Sequence, residues 1–311
     1  MEKILEVNNL NKTYKDDRKA IEELSFIVSK GEILGFLGPN GAGKSTTINI
    51  LSTLLKSDSG SIVYFDNPKL QSKSIKRNLG IVPQDLAIFE DISAYDNVKF
   101  FASLYGIKHG ELEDKVNRAL NRVGLLERKD DLPATFSGGM KRRLNIACAI
   151  AHEPELIIFD EPTVGIDPQS RNHILKSIQE LRREGASVIY TTHYMEEVQQ
   201  ICDRVLIMDS GKVLIEGSMT EILNSDQKLH YQIKFSSILE PKYISKLNEL
   251  ENIEVNEVSS NQLSVDITDQ TSLGSLIALI SELNLNVVDI KKEERNLESV
   301  FLELTGKTLR D

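Results

Sequence analysis

The sequence predicts an α/β chain in which a largely parallel β-sheet, covered by helices on both faces, carries a helical subdomain and is followed by a small α+β domain. Three observations predict this. First, short β-branched runs at 156–160 (LIIFD), 187–192 (SVIYTT) and 204–209 (RVLIMD) alternate with helical stretches at about 169–183 and 195–201. That is the order of a parallel sheet with crossover helices. Second, apolar residues between 94 and 127 recur every three or four positions, which is helical spacing and puts a helical subdomain at about 94–150. Third, the pattern weakens over 217–228 and then resumes in a different order, so the chain divides into residues 1–224 and 225–311.

Element by element, 3–7 (KILEV) and 24–28 (LSFIV) read as short strands, and 32–37 (EILGFL) reads as a buried strand ending in glycines. A helix follows from Lys44 to Leu55, then strands at 61–65 and 79–82. In the C-terminal part the reading is strand 229–235, helix 241–250, strands 253–258 and 262–268, helix 271–283, strand 285–291 and helix 296–305. A β-α-β-β-α-β order predicts a ferredoxin-like domain.

The 311 residues suffice for one large and one small domain. With 37 Lys and Arg against 47 Asp and Glu the formal charge is -10, and no basic block is present. Such a surface lacks the electrostatic footprint of a nucleic-acid binder, so no nucleic-acid partner is expected. Two distant cysteines, Cys148 and Cys202, give neither a disulfide framework nor a zinc spacing. The N-terminal MEKILEVNNL lacks a signal-peptide pattern, and no stretch reaches the ~18 apolar residues of a membrane span. The expectation is a cytoplasmic protein that needs another chain to cross any membrane it serves.

The chemistry begins at Gly38, Pro39, Asn40, Gly41, Ala42, Gly43, Lys44 and Ser45, followed by Thr46. This run fits G-x-x-x-x-G-K-[ST] between a strand and a helix, the context in which a phosphate-binding loop works. Glycines permit the tight loop whose backbone N–H groups surround phosphates, and the following helix aims its positive end at them. Lys44 is expected to reach the β- and γ-phosphates of ATP, and the Ser45 hydroxyl to ligate Mg²⁺. The apolar strand 156–160 ends in Asp160 and Glu161, at the sheet edge where open α/β proteins bind ligands. Asp160 is expected to hold Mg²⁺ and Glu161 to activate the attacking water. Together these features predict a P-loop NTPase.

The run Phe136-Ser137-Gly138-Gly139-Met140 narrows the reading, because it resembles the signature motif of ATP-binding cassette (ABC) proteins. The resemblance covers roughly residues 1–224. It implies that Ser137, Gly138 and Gly139, ahead of a helix beginning near Met140, hold the γ-phosphate of a nucleotide bound to the opposite subunit of a homodimer. It further implies that Tyr14 stacks on adenine, that Gln84 contacts Mg²⁺ or the attacking water, that Asp167 couples the two sites, and that His193 contacts the γ-phosphate. Phe136 and Met140 depart from the Leu and Gln most frequent at these places in the family, and Met140 lacks the amide hydrogen bonds of Gln. FSGGM followed by KRRL, with the tail NLESVFLELTG, is similar to the daunorubicin-resistance type of bacterial ABC exporter ATPase. This similarity implies a peripheral subunit on the inner face of the cell membrane that drives a separate transmembrane permease and exports drugs, antibiotics or lipid-like compounds.

Two rivals share the ATPase chemistry. A soluble cassette protein acting on ribosomes or DNA would be expected to carry two cassettes or a long coiled-coil insertion, and neither is present in the sequence. An importer ATPase with a regulatory C-terminal domain would be expected to show a polar cluster in 229–311 for its ligand, and no such cluster stands out.

Overall fold

The computed structural model describes residues 2–223, 228–259, 261–268, 270–293 and 296–305. They fall into two compact units, residues 2–219 with 301–305, and residues 220–300. In chain order the first unit contains β1 (Lys3–Thr13), β2 (Lys19–Ser29), β3 (Ile33–Leu37), α1 (Lys44–Leu51), β4 (Ser59–Tyr64), α2 (Ser72–Arg77), β5 (Leu79–Val82), α3 (Ala94–Ser103), α4 (His109–Arg122), α5 (Gly138–Ile150), β6 (Leu156–Asp160), α6 (Pro168–Arg183), β7 (Ser187–Thr191), α7 (Met195–Ile201), β8 (Arg204–Asp209) and β9 (Lys212–Ser218). There follow α8 (Met219–Leu223), β10 (Leu229–Phe235), α9 (Pro241–Leu247), β11 (Ile253–Ser259), β12 (Gln262–Ile267), α10 (Gln270–Glu282), β13 (Val287–Glu293) and α11 (Leu297–Thr305).

The main sheet has the order β5-β6-β7-β3-β8-β9. All its pairs are parallel except β8 with β9. Residues of β3 and β7 are buried throughout, as strands covered on both faces must be. The expectation of a single, largely parallel sheet is corrected in one respect, because β2-β1-β4 forms a separate antiparallel sheet. An apolar core fills the space between the two sheets around α1, with Leu5, Leu10 and Phe26 from one side, Leu34, Phe36 and Ile158 from the other, and Ile48 and Leu51 of the helix. The Phe26 and Phe36 rings meet at 5.7 Å.

β1 and β2 run well past the expected 3–7 and 24–28 because bulges carry them through polar residues. Register shifts interrupt their pairing, and Asn9 and Glu23 take φ values of 47° and 52°, local kinks that a polar stretch absorbs. The first helix ends at Leu51, not Leu55. Strand β9 was not expected; a tight turn at Ser210 and Gly211, with φ 49° and 81°, folds it back on β8 as a hairpin.

Helices α3, α4 and α5 pack on one another through residues such as Val98, Ala102, Val116, Leu120 and Leu144, giving the helical subdomain. Side-chain caps mark the starts of α3, α5 and α6, as Asn296 Oδ1, accepting the Ser299 N–H at 2.9 Å, does for α11. Ser93 Oγ accepts the Asp96 N–H at 3.0 Å, Ser137 Oγ accepts that of Met140 at 3.3 Å, and Asp167 Oδ1 accepts that of Ser170 at 2.9 Å, with Pro168 at the first helical position.

The second unit forms an antiparallel sheet of order β11-β12-β10-β13. Leu263, Val265 and Ile267 of β12, with Ile233 and Phe235 of β10, turn one face toward Leu247, Leu276 and Ile280. No helix among the described residues is long and apolar enough to cross a membrane.

Candidate functional site

Strand order assembles the site. Asp160 at the end of β6 lies opposite Thr191 of β7, and Thr191 lies beside Phe36 of β3, so the phosphate-binding loop after β3, the acidic pair after β6 and His193 after β7 emerge side by side at the carboxyl edge of the sheet. A cavity of about 390 Å³ opens here, lined by Asn40 to Thr46, Gln84 and Glu161, with Arg18, Lys19, Ala20 and Ser210.

Close packing dictates the loop's glycines. A Cβ on Gly38 would overlap the Met208 carbonyl oxygen, and one on Gly43, whose φ is 106°, would overlap that of Ala20. Gly43 caps α1, so the first turn of that helix presents its free N–H groups to the cavity. Lys44 is only 6% exposed, and its Nζ donates to the carbonyl oxygens of Gly38 at 2.6 Å and Pro39 at 3.1 Å. Burial lowers its pKa, and the charges of Glu161 and Asp160 partly offset this. Tyr14 lies close by, its hydroxyl 3.1 Å from Thr46 Oγ1, and the Arg18 guanidinium sits 5.2 Å from the centre of its ring.

The acidic pair is tied together by Thr191. Its hydroxyl accepts the Glu161 N–H at 3.0 Å and donates to Asp160 Oδ1 at 2.8 Å. Burial raises the Asp160 pKa and the neighbouring Glu161 charge adds to the rise, while the Thr191 hydrogen bond and Lys44 oppose it. Glu161 takes φ 46°, a left-handed backbone that is uncommon for a residue with a side chain. Its Oε2 accepts from Gln84 Nε2 at 3.3 Å and lies 3.5 Å from His193 Nδ1. Gln84 and His193 therefore converge on the Glu161 carboxylate.

The Gln84 loop is fastened from α5. Arg142 donates to the carbonyl oxygens of Pro83 at 2.9 Å and Gln84 at 2.6 Å, and Asn145 Oδ1 accepts the Ala87 N–H at 3.1 Å. Sequence reasoning missed Arg142, Thr191, Arg18, Lys19 and Ser210. A residue that acts through tertiary contact carries no local pattern, although the charged pair Arg18-Lys19 between Tyr14 and the loop was a usable signal.

Ser137, Gly138, Gly139 and Asp167 do not line this cavity. They form a cluster of their own: a Cβ on Gly139 would overlap Ser170 and stand 3.4 Å from Asp167 Oδ2. The helix starts at Gly138, two residues earlier than expected, with Ser137 as its cap. The Ser170 N–H bonded to Asp167 holds that carboxyl below the usual range.

A metal at the cavity would meet a sparse oxygen set, since no group of three or more His, Cys, Asp or Glu able to hold an ion occurs among the described residues. One half-buried carboxylate, Asp160, a hydroxyl at the start of α1 and an amide fit a hard cation that takes most of its ligands from phosphate and water, as Mg²⁺ does.

The ABC transporter family matches residues 21–164. The chain is 42% identical to the linearmycin resistance ATP-binding protein LnrL of Bacillus subtilis, over 99% of this chain and 100% of that one. It is 32% identical to the daunorubicin/doxorubicin resistance ATP-binding protein DrrA of Streptomyces peucetius, over 99% and 94%. A solved cbiO1 from Clostridium perfringens, part of the ABC transporter complex cbiONQ, superposes with a TM-score of 0.66 at 34% identity, covering 71% of this chain and 91% of that one. With the phosphate loop, acidic pair, glutamine and histidine gathered at one sheet edge, these likenesses establish that the chain belongs to the ATP-binding, ATP-hydrolysing subunits of the ABC transporter family.

Proposed function

We propose that the protein is the motor subunit of an exporter that removes antibiotics, drugs or lipid-like compounds, working on the inner face of the cell membrane against a separate permease. The carrying observation is that similarity to resistance proteins runs the whole length of the chain, 99% of it in both LnrL and DrrA, and so includes the C-terminal unit. A Nod factor export ATP-binding protein of Sinorhizobium fredii, 32% identical over 99% of the chain, adds to the export reading. In this reading residues 1–224 are the ATP-binding domain and 225–311 an accessory ferredoxin-like domain. The antiparallel order β11-β12-β10-β13, with a helix after the first and third strands, supports that assignment.

ATP would lie with its base against Tyr14, its phosphates within Gly38 to Thr46, and Lys44 turned from the loop carbonyls onto the β- and γ-phosphates. Ser45, Asp160 and Gln84 would hold Mg²⁺, which when bound neutralises phosphate charge. Glu161 accepts the proton of the attacking water, and His193 and Gln84, both on Glu161, orient water and γ-phosphate. Backbone donors at the start of α1 stabilise the charge that develops on the phosphate oxygens. Because Ser137 to Gly139 and Asp167 stand apart from the cavity, a second copy of the chain supplies them to close each site.

Tagged protein purified from detergent-solubilised native membranes tests the transport reading. A multi-span membrane protein is expected in stoichiometric amount, and only soluble or ribosomal partners would move the assignment to a soluble cassette ATPase. In the complex, Glu161→Gln is expected to bind ATP like wild type and to turn over at least a hundred times more slowly, measured as phosphate release. Retention of half the activity would remove Glu161 from its role.

A further inference from the structure

A buried carboxylate that is not part of the cavity lining stands on α7. Glu197 of α7 is 2% exposed, and its Oε2 accepts three hydroxyl hydrogen bonds, from Tyr190 at 2.8 Å, Thr163 at 2.9 Å and Thr192 at 2.9 Å. Its Oε1 faces Arg171 Nε at 3.3 Å. Removing a charge from water is costly, and well-packed apolar groups would hold α7 to the sheet at least as well. The identities of the partners explain why a charge stands there.

Three of the partners, Thr163, Thr192 and Arg171, belong to three different segments. Thr163 lies two residues beyond Glu161, on the turn that follows its left-handed backbone. Thr192 immediately precedes His193, and its hydroxyl also accepts the Tyr194 N–H at 3.0 Å, so both neighbours of His193 are tied to one point. Arg171 lies on the first turn of α6, its N–H bonded to the Asp167 carbonyl oxygen at 2.9 Å. Its guanidinium sits 4.5 Å from the centre of the Tyr194 ring, and that ring lies 4.2 Å from His193. Burial holds the Tyr190 phenol protonated, well above its ordinary pKa, so it remains a donor. A neutral amide could not replace this carboxylate in full, because its carbonyl oxygen can take the place of Oε2 under the three hydroxyls, but its -NH₂ would then face Arg171, a donor against a donor.

We infer that Glu197 is a positioning residue that fixes Glu161 and His193 relative to each other and ties both, through Arg171, to the Asp167 end of α6. This rests on the ATPase reading above, and it adds a link from the surface that would face a second subunit to the pair that would handle water and γ-phosphate. Displacement of α6 would reach His193 along Arg171, Glu197 and Thr192.

The test uses the full-length chain, with Kd for ATP from calorimetry, kcat at saturating ATP and the melting temperature, for wild type, Glu197→Gln and Tyr190→Phe. If Glu197 positions the pair, Glu197→Gln lowers kcat at least twentyfold while Kd stays within threefold. Tyr190→Phe, which removes one donor at nearly constant volume, lowers kcat about fivefold with Kd unchanged, and it serves alone if the first variant does not fold. A purely structural residue would lower the melting temperature and leave kcat per bound ATP within threefold of wild type in the variants that fold, which would overturn the inference. Wild-type protein that binds ATP without hydrolysing it, alone or with its membrane partner, would overturn the ATPase reading itself and the positioning role with it.

Discussion

Lys44 and His152 show what burial does to two basic side chains with different tasks. Lys44 loses hydration in the loop and regains it only in part from the Gly38 and Pro39 carbonyl oxygens and the nearby acidic pair, so a phosphate oxygen is a better partner than those it has. A charge-assisted hydrogen bond of this kind contributes about 1.5–3 kcal/mol. Lys44→Ala is therefore expected to weaken ATP binding by roughly 10- to 150-fold, read by calorimetry, with little change in melting temperature. His152 has no place in the chemistry. Its ring stacks on Tyr105 at 3.5 Å and its Nε2 lies 3.2 Å from the Leu79 carbonyl oxygen, while burial pulls its pKa down to about 4. An unfolded histidine takes up a proton near pH 6.5 and the folded one resists until about pH 4, so its contribution is intact above pH 6.5 and is lost as pH falls through that window. At pH 5 the loss is about 2 kcal/mol. Urea unfolding at pH 7 and pH 5 should show His152→Gln losing less stability between the two than wild type, by about that amount.

At the scale of elements, the contact between α5 and α6 bears the most on function. Gly139 has no room for a side chain because Ser170 occupies the space, and Ser170 is held there by Asp167, which caps α6. Gly139→Ala is expected to push the start of α5 away from α6 and reduce ATP turnover about tenfold. Adding Ser170→Gly removes the obstructing atoms and should recover most of it; failure of the double variant to recover would place the defect in the phosphate contact instead. What the sequence made legible at this scale follows range of interaction. The loop from Gly38 to Thr46 was legible because one helix start and its glycines are local, and the Asp160-Glu161 pair because it ends an apolar strand, whereas His193 followed from the family resemblance. Asn8, Asn9 and Asn11 concealed the second half of β1, since bulges that admit polar residues depend on a partner strand, and the antiparallel sheet was missed with them. Arg142 and Thr191 were invisible for the same reason. Each acts on a residue brought near by the fold, at separations of 58 and 30 positions along the chain.

For the whole molecule, the separation of the cavity from the Ser137–Asp167 cluster sets an expectation about assembly. The cavity gathers Lys44, Gln84 and Glu161, and the cluster of Ser137, Gly139 and Asp167 is not part of its lining, with Ser137 and Gly138 exposed at the N-terminus of α5 and Gly139 buried against Ser170. An N-terminus of this kind attracts an anion, yet within one chain it does not line the cavity. Two copies related by a twofold axis would satisfy both, because each presents its cluster to the other's cavity. In such a dimer ATP would be part of the interface, and hydrolysis would remove the group that joins the copies. The expected outcome is that Glu161→Gln, mixed with ATP and Mg²⁺, sediments as a dimer in analytical ultracentrifugation, whereas with ADP it sediments as a monomer. Ser137→Arg should abolish the ATP-dependent dimer and leave the affinity of the single chain for ATP within about threefold, since Ser137 is absent from the chain's own cavity. A dimer that forms equally with ADP, or that survives Ser137→Arg, would mean that the copies meet through a surface other than the nucleotide.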